Sequence, residues 1–157
     1  VSHVEKNHGK IDVLINNVGI YPESKIHDMD PVEWESNLKT NLTSVFLMCH
    51  YALPGMAARG AGNIVNVSSG AASLYIPDRI AYSALKDGVN RFTRNLAQEV
   101  RDSGIAVNAI SPVRLQTEMT GYTGEPLETV IEPTMWLIRQ TVHTCTGYVL
   151  PQEDFPQ

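Results

Sequence analysis

A tyrosine and a lysine in this sequence have the spacing of an acid/base pair. Tyr82 and Lys86 are four residues apart in the segment AYSALK, and on a helix this spacing puts both on one face. A phenol has a pKa of about 10, so a tyrosine acts as an acid/base near neutral pH only where a cation stabilises its phenolate. Ser69, thirteen residues earlier, adds a hydroxyl that could orient a carbonyl oxygen. Alone, the Tyr-Lys pair is a weak indication, since a solvated helix face produces the same spacing.

Polar segments that follow apolar runs strengthen this interpretation. Residues 16–19 (NNVG), 68–69 (SS) and 108–112 (NAISP) each end such a run, and Asn41 lies in a helical period between the first two. In an open parallel sheet, ligands bind at the carboxyl ends of the strands, where these segments would meet. Each residue also has a structural interpretation: Asn16 is expected to tie neighbouring strands together, Asn41 could bond only within its helix, and Ser69 could satisfy a local backbone group.

Short β-branched runs alternate with long amphipathic segments, which indicates a parallel sheet covered by helices on both faces. Strands are predicted at 11–16, 63–68 and 105–110, with a short edge strand at 148–150. Helices are predicted at 30–53, 78–102 and 127–140. The sequence is therefore interpreted as one α/β domain over residues 1–157, with a loose tail at about 151–157.

Helix boundaries and buried stripes follow from local signals. Asp30 followed by Pro31 predicts a capped helix start, the Pro54-Gly55 pair should kink or interrupt that helix, and Gly104 should stop the next one. The buried stripe of the first long helix is predicted as Leu38, Leu42, Val45, Phe46, Cys49 and Leu53. That of the second is predicted as Leu85, Val89, Phe92, Leu96 and Val100.

With these segments in view, residues from about 11 to about 117 resemble the short-chain dehydrogenase/reductase family. The resemblance implies a partial doubly wound, Rossmann-like parallel sheet and hydride transfer between NAD or NADP and a carbonyl or alcohol substrate. It implies that Tyr82 is the acid/base, that Lys86 lowers its pKa and holds the cofactor ribose, and that Ser69 orients the substrate oxygen. It further implies that Asn41 anchors a water molecule that relays protons to Lys86.

The same resemblance implies which residues contact the nicotinamide cofactor. Two departures from the family pattern, Val18 in place of a small alanine and Val113 in place of a glycine, should narrow the space beside it. The preference between NAD and NADP depends on a strand end that this sequence does not contain. The implied cofactor-binding residues are Asn17, Val18, Gly19, Tyr82, Lys86, Pro112, Leu115 and Thr117.

The glycine-rich turn that cradles the pyrophosphate in this family has no counterpart in the sequence. Residues 1–9 are interpreted as the tail of a helix, so the first strand-helix units are expected to be missing, either because the chain is a fragment or because it is a truncated paralogue. An alternative function is therefore a catalytically silent partner. It would associate through the two long helices, with a second copy or with a full-length homologue.

Composition and residue distribution disfavour several other functions. The net charge of −5 comes without a lysine or arginine cluster, which argues against nucleic acid or an anionic membrane as a partner. No run approaches the roughly 20 apolar residues that span a bilayer. The five histidines lack metal-ligand spacing, and Ser69 lacks a nucleophile elbow. Cys49 and Cys145 are interpreted as buried, reduced thiols, which favours a cytoplasmic localisation.

Overall fold

The structure, a computed structural model, describes residues 1–155 and is built on one parallel sheet. Its strands are β1 (Val13–Asn16), β2 (Gly62–Val67), β3 (Ile105–Ser111) and β4 (Val149–Pro151). They lie in the order β1-β2-β3-β4, and every neighbouring pair is parallel. This confirms the predicted α/β class, because parallel neighbours require crossover connections and here helices provide them.

Helices of different lengths connect and cover these strands. They are α1 (Ser2–His8), α2 (Pro31–Leu38), α3 (Ser44–Arg59), α4 (Ile80–Glu99) and α5 (Ile131–Ile138), with a π-helical turn at Lys39–Thr43. Short 3-10 turns lie at Gly70–Ala72, Arg101–Ser103, Glu118–Thr120, Leu127–Val130 and Gln152–Asp154. Within residues 1–155, each helix is too short or too polar to cross a membrane.

The first long helix begins as predicted but is built differently. The Asp30 side chain accepts a hydrogen bond from the backbone N–H of Val32, and Pro31 occupies the first turn. A π-helical turn then separates α2 from α3, a feature that hydrophobic periodicity does not reveal. Of the two predicted effects of the Pro54-Gly55 pair, interruption of the helix is wrong, because loss of one N–H donor leaves the other bonds in place and α3 continues to Arg59; a kink stays a prediction.

The core lies on both faces of the sheet. Helices α3 and α4 cover one face, where Val45, Cys49 and Val89 pack against strand residues such as Ile64. Helix α5 covers the other face, where Leu137 meets buried residues of the strands. The predicted buried position of Phe46 is wrong: this ring is 48% exposed, because the stripe of α3 that packs on the sheet is formed by Val45, Cys49, Ala52 and Met56, and Phe46 lies outside it.

The second long helix and the chain end depart in detail from the prediction. Helix α4 ends at Glu99, and Gly104 stops the following 3-10 turn with a left-handed φ of 71°. The tail predicted as loose from residue 151 is ordered as far as Phe155. The amide of Gln152 is buried, donates to Thr129 Oγ1 and accepts from the backbone N–H of Val113. The rest of that predicted tail, residues 156–157, lies outside the described residues.

Candidate active site

A cleft of about 770 Å³ opens at the carboxyl ends of the strands. It lies where the polar segments after β1, β2 and β3 meet beside the first turns of α4, as expected for a parallel sheet. All but one of the predicted site residues line it, the exception being Asn41. The predicted residues in the cleft wall are Asn17, Val18, Gly19, Ser69, Tyr82, Lys86, Pro112, Leu115 and Thr117.

Tyr82 and Lys86 project from one face of α4, and both side chains are buried. The Lys86 ammonium lies 5.7 Å from the centre of the Tyr82 ring and donates a hydrogen bond of 2.7 Å to the carbonyl oxygen of Val67, the last residue of β2. Helix α4 therefore presents the phenol and the amine together at the end of the sheet. The strand carbonyl, which the sequence did not single out, holds the lysine there.

Burial changes the pKa of both groups. It lowers the pKa of Lys86 from 10.5 to about 8, because the charged amine loses hydration. Burial also raises the pKa of Tyr82; a hydrogen bond from Ser69 opposes this shift, and the nearby Tyr21 adds to it. Lys86 is not among the causes of this shift, since its ammonium is directed at the Val67 carbonyl, and the implied lowering of the Tyr82 pKa by Lys86 stays a prediction.

The lowered pKa of Lys86 predicts a pH-dependent stability. Between about pH 8 and pH 10.5 the unfolded chain holds this proton and the folded protein does not, so stability rises with pH in that window. The free energy of unfolding of the wild type, relative to Lys86→Met, should therefore increase by about 1–3 kcal/mol from pH 7 to pH 10.5. Urea unfolding of both proteins at the two pH values measures this. Equal differences at both values would contradict it.

Ser69 serves a local bond and also faces the phenol. It is the second residue after β2, and its Oγ accepts a hydrogen bond of 3.2 Å from the backbone N–H of Ala71, capping a 3-10 turn. The same side chain acts on Tyr82 and lowers the pKa of its phenol. Ser68, by contrast, is buried and its hydroxyl points to the carbonyl oxygen of Lys86 at 3.5 Å. Both serines line the cleft, and Ser69 is the less buried of the two, which makes it the better candidate for orienting a substrate oxygen.

Asn41 lies behind the cleft, inside the π-helical turn, and is fully buried. Its amide bonds twice to Ile20: Oδ1 accepts from the backbone N–H at 3.0 Å, and Nδ2 donates to the carbonyl oxygen at 3.1 Å. The interpretation that Asn41 bonds only within its helix is therefore wrong. Its side chain fastens the loop that follows β1, and its role in anchoring a water molecule stays a prediction.

Gly19 leaves the space that this arrangement needs. A Cβ atom at Gly19 would lie 2.9 Å from Asn41 Oδ1 and 3.6 Å from Lys86 Nζ. Since a real Cβ essentially never approaches another atom within 3.0 Å, a larger residue would displace the asparagine amide. Gly19 therefore lets the loop after β1 pass between Asn41 and Lys86.

A buried amide network joins the strand ends beneath the cleft. Asn16 donates to Asn66 Oδ1 at 2.8 Å, which links β1 to β2, and Asn66 donates to Thr93 Oγ1 of α4 at 2.9 Å. This confirms the predicted structural role of Asn16. Thr93 was not identified from the sequence, because a threonine inside a helical period gives no sign of a partner on a strand.

The sequence patterns did not predict several other residues of the cleft wall. Tyr21 is the most informative, because its ring packs edge-on against Tyr82 with centroids 4.6 Å apart. Its position two residues after Gly19 was the available signal. Met119 and Thr120 enter the wall from a 3-10 turn in the segment after β3, and Glu153 enters from the chain end.

Comparison with known proteins identifies the family. The sequence pattern described as short chain dehydrogenase matches residues 1–128, well over half of the chain. The chain belongs to the short-chain dehydrogenase/reductase family. Among the described residues of this family member, no group of three His, Cys, Asp or Glu side chains could hold a metal ion.

Individual members of the short-chain dehydrogenase/reductase family resemble this chain over part of their length. Acetoacetyl-CoA reductase of Shinella zoogloeoides is 44% identical over 119 residues, which are 76% of this chain and 49% of that protein. The 3-oxoacyl-[acyl-carrier-protein] reductase FabG of Chlamydia pneumoniae is 36% identical over 77% of this chain and 49% of its own length. The chain thus spans about half the length of these curated relatives.

A solved structure supports the fold assignment. Gluconate 5-dehydrogenase of Burkholderia cenocepacia, in complex with NADP and tartrate, superposes with a TM-score of 0.88 over 96% of this chain and 66% of that one. At 24% identity this likeness concerns the fold. It places the four-stranded sheet within the Rossmann-like fold that the resemblance implied, and that neighbour contains a cofactor of the expected class.

Proposed function

We propose that this chain carries the catalytic part of an oxidoreductase that transfers a hydride between NAD or NADP and a carbonyl or alcohol carbon. The observation that supports this most directly is the meeting of three side chains in one cleft. Tyr82, Lys86 and Ser69 come from two separate segments, yet their polar groups gather beside the strand ends. Family membership makes the same chemistry the first one to test.

The residues of the cleft fit a nicotinamide cofactor of this kind. Gly19 lets the loop after β1 lie close to Lys86 and so leaves room in the cleft. Lys86 offers an amine for ribose hydroxyls, and Leu115 and Thr117 line the facing wall. The cofactor, when bound, supplies or accepts the hydride. The protein contributes the binding surface, the orientation of the substrate oxygen and the proton.

In the reductive direction, the Tyr82 hydroxyl donates its proton to the carbonyl oxygen as the carbon receives the hydride, and the alcohol and a phenolate result. Ser69 donates a hydrogen bond to the same oxygen. The amine of Lys86 lies on the same helix face and, when protonated, stabilises the phenolate. Burial raises the pKa of Tyr82, which opposes loss of this proton, so the cation of Lys86 is the group proposed to offset that cost.

The substrates of the relatives suggest a first class to screen. Acetoacetyl-CoA reductase and 3-oxoacyl-[acyl-carrier-protein] reductase are named for 3-oxoacyl thioesters. Apolar side chains at the mouth of the cleft, including Leu74 and Met119, suit the acyl part of such a molecule. We therefore propose 3-oxoacyl thioesters as the first carbonyl substrates, with NADPH and NADH compared.

Calorimetric titration with each cofactor tests the proposal, once circular dichroism has established that the chain is folded. Saturable binding is expected, and Lys86→Met should weaken it by about tenfold because the variant lacks the cleft amine. Lys10→Met provides a matched control, since Lys10 is exposed and pairs only with Asp12 among the described residues. Equal affinities for the wild type and Lys86→Met would contradict the role of Lys86.

Association is the second proposed function, and exposed apolar residues on α3 favour it. Phe46, Leu47, Met48 and Tyr51 are each at least 40% exposed, and a groove of about 480 Å³ lies between α4 and the segment from Leu38 to Phe46. A second copy or a longer homologue would cover this surface. If the folded chain binds neither cofactor, association becomes the better supported of the two proposed functions.

A further inference from the structure

Arg79 holds the loop after β1 against the beginning of α4. Its guanidinium carbon lies 4.1 Å from the centre of the Tyr21 ring, and its Nη2 pairs with Glu23 Oε2 at 2.7 Å. The Arg79 side chain is only 14% exposed, whereas Glu23 is 67% exposed. The backbone makes a second link in the same place, because the N–H of Ser24 donates to the carbonyl oxygen of Asp78 at 2.9 Å.

The Tyr21 ring contacts both Arg79 and the proposed acid/base, Tyr82. It lies between Arg79 and Tyr82, with its face toward the guanidinium and a nearly perpendicular contact, at 79°, to the Tyr82 ring. A planar guanidinium restrains an aromatic ring by stacking and by cation–π attraction. The position of the Tyr21 ring therefore depends on Arg79, and the packing of Tyr82 depends on Tyr21.

We propose that Arg79 is a positioning residue, which orients the phenol of Tyr82 by holding the Tyr21 ring against it. Glu23 has a smaller part, since an exposed ion pair contributes little. Neither Arg79 nor Glu23 needs to touch the substrate. The consequence for catalysis rests on the proposed function, but the structural dependence of Tyr82 on Arg79 does not.

A spectroscopic test decides the structural dependence without any turnover. In a chain with 13C-labelled tyrosine, the Tyr82 ring signals are assigned by their loss in Tyr82→Phe. Arg79→Ala and Tyr21→Leu should both shift those signals, because the Tyr21 ring no longer lies at a fixed position beside them. Arg94→Ala is the matched control, since Arg94 is an exposed arginine on the same helix and should leave them unchanged. Unshifted Tyr82 signals in Arg79→Ala would overturn the proposal.

Kinetics tests the catalytic consequence. Arg79→Ala should lower kcat by about tenfold or more while KM and the cofactor Kd stay within about twofold, because a displaced catalytic group costs rate and not affinity. Combined with Tyr21→Leu, it should cost no more than Tyr21→Leu alone. Additive losses, or an unchanged kcat, would overturn the positioning role.

A more conservative change keeps the test decisive if Arg79→Ala does not fold. Arg79→Lys retains the charge and the pairing with Glu23 but lacks the planar group that stacks on Tyr21. Arg79→Lys should therefore shift the Tyr82 signals and lower kcat in the same way as Arg79→Ala. Unshifted Tyr82 signals together with a wild-type kcat would overturn the proposal. A folded chain without cofactor binding or turnover contradicts the proposed function, whereas the Tyr82 signals still decide this inference.

Discussion

Replacement of Tyr82 by phenylalanine should abolish turnover of a carbonyl substrate and leave the fold intact. General acid catalysis by a positioned side chain contributes about 10²- to 10⁴-fold, so we expect a fall in kcat of about 10³-fold or more. The ring itself packs against Tyr21 and is retained in the variant. The free energy of unfolding should therefore change by less than about 1 kcal/mol. The loss of reduced-cofactor absorbance with time measures the rate.

Tyr51→Phe is the matched control for that experiment. It removes a phenol hydroxyl from an exposed site on α3, outside the cleft, and should leave kcat unchanged. Cofactor titration of Tyr82→Phe separates loss of chemistry from loss of binding. A Tyr82→Phe variant that binds cofactor and reduces substrate at the wild-type rate would refute the role of Tyr82 as the acid.

Gly104→Ala should be the more destabilising of the alanine substitutions at the two left-handed glycines, Gly60 and Gly104, that precede β2 and β3. Gly104 has a left-handed φ of 71°, and a Cβ atom there would lie 2.1 Å from the carbonyl oxygen of Gly60. Both glycines precede paired strands, β2 and β3, whose register sets Gly62 opposite Ile105. Relief of the clash would move one backbone against the other at the start of the sheet. We expect a loss of roughly 3–5 kcal/mol in the free energy of unfolding.

Gly60→Ala separates the two causes of that loss. Gly60 also has a left-handed φ, 65°, but a Cβ atom there meets nothing within 4 Å. Only the backbone conformation is penalised, so roughly 1 kcal/mol should be lost. Urea unfolding of both variants measures the difference. Equal losses would contradict the steric explanation for Gly104.

Local sequence patterns predicted helix starts and turn ends correctly where a short-range interaction determines them. Asp30 and Pro31 start a helix because capping and a preset φ act within a single turn, and Gly104 stops a turn because few other residues adopt its φ. Phe46 was misplaced for the opposite reason. Its neighbours Val45 and Cys49 fill the buried stripe of α3, and only the packing of this helix on the sheet decides which apolar side chains beside the stripe stay in solvent.

The sequence by itself determined the family and the parallel sheet and supplied the candidates for the chemical groups, because residue type and spacing carry that information over short distances. Only the tertiary structure decided how those groups are held. Lys86 bonds to the end of β2, Asn41 bonds to Ile20, and the pKa of Tyr82 is raised by burial. Each of these depends on which distant segments pack together and exclude water. The local order of residues specifies neither the solvation of a side chain nor its partner from a distant segment.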